Sequence, residues 1–385
     1  MTIEASIAAA DPLVRPEIAG LPDYNAGLAL DRFRAIYGLD ARAKLDSNEN
    51  PLGPSPDAIA AIRTAAASVA RYPDAANTAL RAAIAAATGV EAEQVIIGNG
   101  SEDLIGAVFR TVLRPGDRVV TLCPSFGLHE FGALACGATV EKVPFGADWR
   151  FPLAALRTAL ARSARVLILS SPSNPAGPAI AADELRDLLA ATPGDTLVIF
   201  DEAYLEYVAP EARVDALPLL AGAGRPWITL RTFSKAYGLA GLRVGYGISA
   251  DPDLIRAVMK SRNPFGVNAL AGTAALAAFA DTAHLAKVTA LARTERARVA
   301  ASLAAKGYPV APSQANFLFF DTGRAAVELA EDLRRRGVLI KAWQEEPFRN
   351  WARITMGTAV ENDVFIDALP ELDLSYADPR GSRCT

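Results

Sequence analysis

Lys235 lies in the stretch Thr232-Phe233-Ser234-Lys235-Ala236-Tyr237-Gly238-Leu239-Ala240-Gly241-Leu242-Arg243, between a hydroxyl and small residues, with an arginine downstream. A lysine so placed can act as a nucleophile that forms an imine with a carbonyl compound, rather than as a solvated charge. Asp201 directly follows the apolar run 197–200, so it stands where a buried strand emerges at its carboxyl end. A carboxylate there must be paired, because an isolated buried charge is costly. Tyr204 follows on the same loop. The segment Ser170-Ser171-Pro172-Ser173-Asn174-Pro175-Ala176-Gly177 leaves another run, 166–169, in a proline-braced turn that points Asn174 to the same edge. Three strand ends thus bring an amine, an acid, a phenol and an amide to one crevice.

That set fits pyridoxal phosphate. This cofactor needs a lysine for its aldehyde, a carboxylate to keep its ring nitrogen protonated, and donors to its phenolic oxygen. Lys235, Asp201 and the pair Asn174 with Tyr204 are the candidates. The phosphate needs a cradle of its own. Gly98-Asn99-Gly100-Ser101-Glu102-Asp103 runs from strand to helix, with Gly100 and its neighbour glycine freeing the backbone to turn N–H groups toward an anion and Ser101 at the helix start. Ser234 adds a hydroxyl and Arg243 a guanidinium able to bind two phosphate oxygens. Phe126, after Cys123-Pro124-Ser125 at another strand end, is placed to stack on the ring. Each residue alone has a plainer use: Asp201 as a helix cap, Asn174 in a turn, Phe126 in the core, Ser234-Lys235 as a surface pair. Their convergence on one edge is what favours the cofactor.

The elements that must position them follow from the apolar pattern. Between about residues 94 and 247, the runs 94–97, 118–122, 138–143, 166–169, 196–200, 227–230 and 242–246 alternate with helical stretches such as 102–113, 153–160 and 182–190. Several runs are continuously apolar, the mark of strands covered on both faces. The alternation predicts an α/β fold with a mostly parallel sheet, which carries ligands beyond the carboxyl ends of its strands. After Asp251 the chain turns to long helices, with 269–306 almost free of proline, and then to strands at 316–320, 338–341 and 353–356. This predicts a smaller α+β domain. The expected division is an N-terminal arm contributing to the small domain (1–45), a large cofactor-binding domain (46–265) and the small C-terminal domain (266–385). The opening residues, rich in Pro and Gly, have no core pattern and are expected to lie across another part of the molecule.

Composition narrows the class. The 385 residues are 51% hydrophobic and 21% charged with a formal net charge of -4, so no basic surface for nucleic acid or anionic membrane is expected. The start, with Glu4 and Asp11, does not resemble a secretory signal, and the uncharged run 263–280 is broken by Pro264, Gly266 and Gly272. A cytoplasmic protein is expected. Cys123, Cys136 and Cys384 form no CxxC pair and only His129 and His284 occur, so neither a disulfide framework nor a metal site is expected. A dehydrogenase is disfavoured because no GxGxxG follows a strand.

The chain also resembles the histidinol-phosphate aminotransferases, members of the fold-type I pyridoxal phosphate enzymes. The resemblance is carried by Asp46-Ser47-Asn48-Glu49-Asn50-Pro51-Leu52-Gly53-Pro54, Arg71-Tyr72-Pro73-Asp74, Gly98-Asn99-Gly100-Ser101, Ser173-Asn174-Pro175-Ala176-Gly177, Asp201-Glu202-Ala203-Tyr204, Ser234-Lys235 with Gly241-Leu242-Arg243, and Arg353-Ile354-Thr355-Met356-Gly357-Thr358, in that order, over about residues 15–362. It implies Lys235 as imine lysine and proton shuttle, Asp201 on the ring nitrogen, Tyr204 and Asn174 on the phenolic oxygen, and Ser101, Glu102, Ser234 and Arg243 around the phosphate. It further implies a homodimer in which Tyr72 reaches the phosphate of the other subunit. Arg353 resembles the arginine that grips the substrate carboxylate; Lys341, Tyr24 and Asn50 are the remaining substrate candidates. Lys341 stands where the family often has arginine, and Phe126 where it often has tyrosine. The implied activity is amino transfer between a donor, histidinol phosphate or a related amino acid, and 2-oxoglutarate. An aromatic amino-acid aminotransferase, a threonine-phosphate decarboxylase and a non-catalytic pyridoxal phosphate module are the alternatives.

Overall fold

The computed structural model describes residues 13–372 other than 24 and 26. Its strands are β1 (Ala43–Lys44), β2 (Val95–Gly98), β3 (Arg118–Cys123), β4 (Thr139–Pro144), β5 (Val166–Ser170), β6 (Leu197–Asp201), β7 (Trp227–Thr232), β8 (Gly245–Ile248), β9 (Phe317–Asp321), β10 (Val338–Leu339), β11 (Lys341–Ala342) and β12 (Trp351–Thr355). Seven form one sheet in the order β2-β8-β7-β6-β5-β3-β4. Neighbours from β7 through β6, β5 and β3 to β4 run parallel, while β8 is antiparallel to both β2 and β7. Every residue of β2, β5, β6, β7 and β8 is buried, as continuous apolar runs under two layers of helix require. The carboxyl ends of β3, β5, β6 and β7 lead straight to Ser125, Asn174, Asp201 and Ser234-Lys235.

The last strand of this sheet begins later than the apolar pattern predicts. Residues Ala240–Leu242 coil into a short 3-10 turn, and Arg243 takes a left-handed backbone (φ 59) before β8 starts at Gly245. That reversal returns the guanidinium to the sheet's carboxyl edge instead of adding the residue to the ladder. The expected long helix 269–306 is likewise two helices, Ala269–Ala280 and Thr282–Ala305. Asp281 divides them by accepting a hydrogen bond from the His284 N–H (2.9 Å), capping the second helix. The two are bent by 79°, and no single described helix is long and apolar enough to cross a membrane.

A second, antiparallel sheet of order β11-β12-β9 packs with Val299, Leu303, Leu329 and Phe365 in a separate core. The N-terminal segment joins it: β1 pairs in parallel with β10, Phe33 is fully buried, and the Tyr37 hydroxyl donates to Glu331 (2.7 Å). Residues 42–48 therefore run from the small sheet across to the end of the large one, and the cleft lies between them.

Candidate active site

A cleft of about 720 Å³ opens at the carboxyl edge of the large sheet. Its walls carry Ser101, Glu102, Phe126, Asn174, Asp201, Tyr204, Ser234, Lys235, Arg243, Lys341 and Arg353, so the fold gathers these sequence-predicted residues from seven separate segments into one place. Lys235 follows β7 and donates from Nζ to the backbone carbonyl of Ser47 (3.1 Å). Burial pulls its amine pKa down to about 8, and the nearby Arg353 guanidinium contributes in the same direction. Roughly a tenth of the amine is therefore neutral and nucleophilic at pH 7, far more than in a solvated lysine.

Asp201 ends β6 and is buried. Its Oδ1 accepts from the Ala203 N–H (3.0 Å), and its Oδ2 lies 3.2 Å from His129 Nε2. His129 is wholly enclosed on the helix Gly127–Leu134, with its Nδ1 3.2 Å from Ser125 Oγ, which lies 3.4 Å from Thr121 Oγ1. This side-chain relay holds the carboxylate in orientation from behind. Phe126, at the start of the same helix, packs edge-on against His129 with ring centroids 5.6 Å apart.

Arg353 leaves β12 and spans the cleft. One guanidinium nitrogen donates to Asn174 Oδ1 (2.7 Å), another to the Asp46 carbonyl (2.8 Å), and the group lies 5.5 Å from the Phe317 ring centroid. Because Asn174 accepts through oxygen, its amide N–H groups are directed elsewhere, as a donor to a phenolic oxygen requires. Lys341 on β11 donates to the Asn25 carbonyl (2.6 Å); burial, and then Arg353, pull its pKa down to about 8.

The opposite end suits a phosphate. The helix Gly100–Val112 begins there, and Gly100 has a left-handed backbone (φ 82). A Cβ on Gly100 would lie 2.6 Å from an Arg243 nitrogen, and one on Gly245 would lie 2.5 Å from the Ser101 backbone nitrogen. The glycines leave a hollow bounded by the helix N-terminus, Ser234 Oγ (3.5 Å from Arg243) and the guanidinium, which also faces Glu102 at 3.5 Å.

Two expected residues, Asn50 and Tyr72, do not line this cleft, Tyr72 having been expected at the phosphate of a second copy. Asn50 turns its amide to the carbonyls of Gly53 and Ala236 (both 3.0 Å), bracing a turn because its own segment doubles back there. Tyr72 is 82% exposed and stacks on Phe265 (4.6 Å) on the outer surface. Tyr24 lies outside the described residues. Conversely, His129, Asn48 and Glu345 carry no role in the sequence reading. Glu345, on the loop after β11, accepts from the Ser125 N–H (3.2 Å) and the Trp343 indole (3.2 Å) and pairs with Lys142 (3.1 Å), closing the cleft wall. Of the three, Asn48 stands inside the motif Asp46–Pro54, and no local pattern marks the other two. Among the described residues no cluster of His, Cys, Asp or Glu could hold a metal ion.

A sheet with this connectivity, ending in a depressed-pKa lysine, a buried acid and a glycine-lined anion hollow, defines a pyridoxal phosphate-dependent transferase of fold type I. The chain belongs to the aminotransferase class I and II family, whose model matches residues 42–369. It is 48% identical over 361 residues to histidinol-phosphate aminotransferase 3 of Rhizobium meliloti (94% of this chain, 97% of that one) and 46% identical to histidinol-phosphate aminotransferase 1 of Mesorhizobium japonicum (94% and 99%). Among solved structures, histidinol-phosphate aminotransferase from Sinorhizobium meliloti in complex with pyridoxal-5'-phosphate superimposes with a TM-score of 0.86 at 32% identity, covering 94% of this chain and 98% of that one. The protein is a pyridoxal phosphate-dependent aminotransferase.

Proposed function

We propose that the protein moves the amino group of histidinol phosphate to 2-oxoglutarate, as a cytoplasmic homodimer. The observation that carries this reading is that two cations, Lys341 and Arg353, line the same cleft as Lys235. A donor carrying a phosphate and an acceptor carrying two carboxylates are thereby accommodated in turn, and the planar fork of Arg353 matches either anion. The names of the relatives support the same choice.

Bound in this cleft, pyridoxal phosphate supplies an electron sink for the carbon that loses its proton. Lys235 Nζ anchors the cofactor and moves the proton released from the carbon bearing the donor's amine. Asp201, aligned by His129, keeps a proton on the ring nitrogen. Tyr204 and Asn174 donate to the phenolic oxygen, while Phe126 covers one ring face. Gly100, Ser101, Glu102, Ser234 and Arg243 form the phosphate end, and Tyr72 of a second copy completes it. The exposed Tyr72–Phe265 stack is a surface that a second copy would cover. The division at residues 45 and 265 belongs to the same reading, although the helix Ala269–Ala280 packs its alanines into the core of the large sheet.

The test is a single-turnover half-reaction, read from the visible spectrum of the loaded protein, across histidinol phosphate, phenylalanine, tyrosine, glutamate and threonine phosphate. Histidinol phosphate is expected to react fastest. An aromatic amino acid reacting tenfold faster, or carbon dioxide release from threonine phosphate, would replace this substrate with the corresponding alternative.

A further inference from the structure

The turn 123–127, which carries Phe126 to the cleft, is held from both sheets. From its own side, the Cys123 carbonyl accepts from the Phe145 N–H (2.9 Å), and the Ser125 hydroxyl meets His129 and Thr121. The remaining hold comes from the small sheet. Glu345 Oε2 accepts from the Ser125 N–H and the Trp343 indole N–H (3.2 Å each), while Oε1 lies 3.1 Å from Lys142 Nζ and 3.4 Å from Cys123 Sγ. The Ser125 N–H stands at the start of the helix Gly127–Leu134, where a negative group also complements the helix dipole.

Glu345 is itself fixed in place. Strand β11 pairs Lys341 with Arg353 and Ala342 with Ala352, and the ladder continues through the Trp343 N–H to the Trp351 carbonyl (2.9 Å). The Phe348 N–H then closes the loop on the Glu345 carbonyl (2.8 Å). Underneath, Trp351 and Phe348 pack on Trp149, which follows β4, with ring centroids 4.8 and 5.7 Å apart. The carboxylate therefore leaves a braced loop that is already seated on the large sheet's side of the cleft.

We infer that Glu345 is a positioning residue for the cofactor ring: by accepting from the Ser125 N–H, it sets the turn from which Phe126 covers the ring face. The inference rests on the role proposed above for Phe126. It also makes the strand that carries Lys341, at the substrate end, the support of the ring's cover.

Removing Glu345 has two effects of opposite sign. Loss of the carboxylate makes a cleft lined by Lys142 and Arg243 more positive, which favours an anionic cofactor. Loss of the hold on Ser125 loosens Phe126, which disfavours it. The direction of the change in Kd therefore separates position from charge.

The experiment titrates pyridoxal phosphate into the cofactor-free protein, followed by absorbance and by the visible circular dichroism of the bound ring. Phe126→Leu is expected to raise Kd about tenfold and to weaken the dichroic band. Glu345→Ala should raise Kd about fivefold and weaken the same band, yet cost less than about twofold in the Phe126→Leu background, because its effect passes through that ring. Glu345→Gln keeps an oxygen for the Ser125 N–H and loses only the charge, so its Kd should lie at or below that of wild type. An unchanged or lower Kd in Glu345→Ala, a penalty of about twofold or more surviving in the Phe126→Leu background, or a Gln variant as weak as the Ala variant overturns the inference. A wild-type Kd and dichroic band in Phe126→Leu overturns the stacking role of Phe126, and the inference with it.

Discussion

Lys235 gives the sharpest prediction, because burial and the Arg353 charge, the two largest influences on its amine, act in the same direction. With the pKa pulled down to about 8, the neutral fraction of the cofactor-free protein is roughly 9% at pH 7 and roughly 90% at pH 9. An ordinary lysine, near 10.4, would pass from below about 0.1% to about 4% over the same interval. Only the neutral amine attacks an aldehyde, so the rate of pyridoxal phosphate capture rises with pH until the amine is fully deprotonated. Stopped-flow absorbance, with a small alkylamine as reference for the cofactor's own ionisations, should show capture rising about tenfold from pH 7 to 9 and then levelling. Burial is the larger cause and Arg353 the second, so Arg353→Gln should move the midpoint up without restoring that of a free lysine. A rate that climbs tenfold per pH unit to pH 10 would refute the reasoning, as would an Arg353→Gln midpoint at or below that of wild type.

Two further outcomes test the frame and the phosphate end. Glu202 Oε2 accepts from Arg231 Nε (2.8 Å) with both side chains buried beside the end of β6, so Glu202→Ala leaves a buried guanidinium unpaired. A loss of about 3–5 kcal/mol of stability is expected, measured by urea denaturation of the cofactor-free protein. Gly100→Ala places a methyl 2.6 Å from an Arg243 nitrogen at a backbone φ of 82, which L side chains rarely adopt. Pyridoxal phosphate should then bind about tenfold more weakly or worse by absorbance titration, and an unchanged Kd would remove Gly100 from the cradle.

The fold class, the family and the cofactor were legible in the chain because their signals are local. Continuous apolar runs mark strands buried on two faces, and whatever follows such a run in a parallel sheet arrives at one edge. Asp201, Asn174, Phe126 and Lys235 could be placed together on that ground alone. Element ends were less legible. The helix break at Asp281 depends on one side-chain cap, and the late start of β8 depends on Arg243 adopting a left-handed backbone, neither of which disturbs the apolar period.

What the sequence by itself determined, then, is which segments become strands and which side chains leave their carboxyl ends, since steric and hydrophobic preferences act between near neighbours. Only the tertiary structure decided that His129 backs Asp201, that Asn48 meets Tyr204 and that Glu345 reaches Ser125, pairs separated by 72, 156 and 220 residues. It also decided that Asn50 braces a turn and that Tyr72 stands on the outer surface. A hydrogen bond needs its partners within about 3 Å, and across such separations that distance is set by how helices pack on the large sheet and how the two sheets meet, which no local pattern encodes.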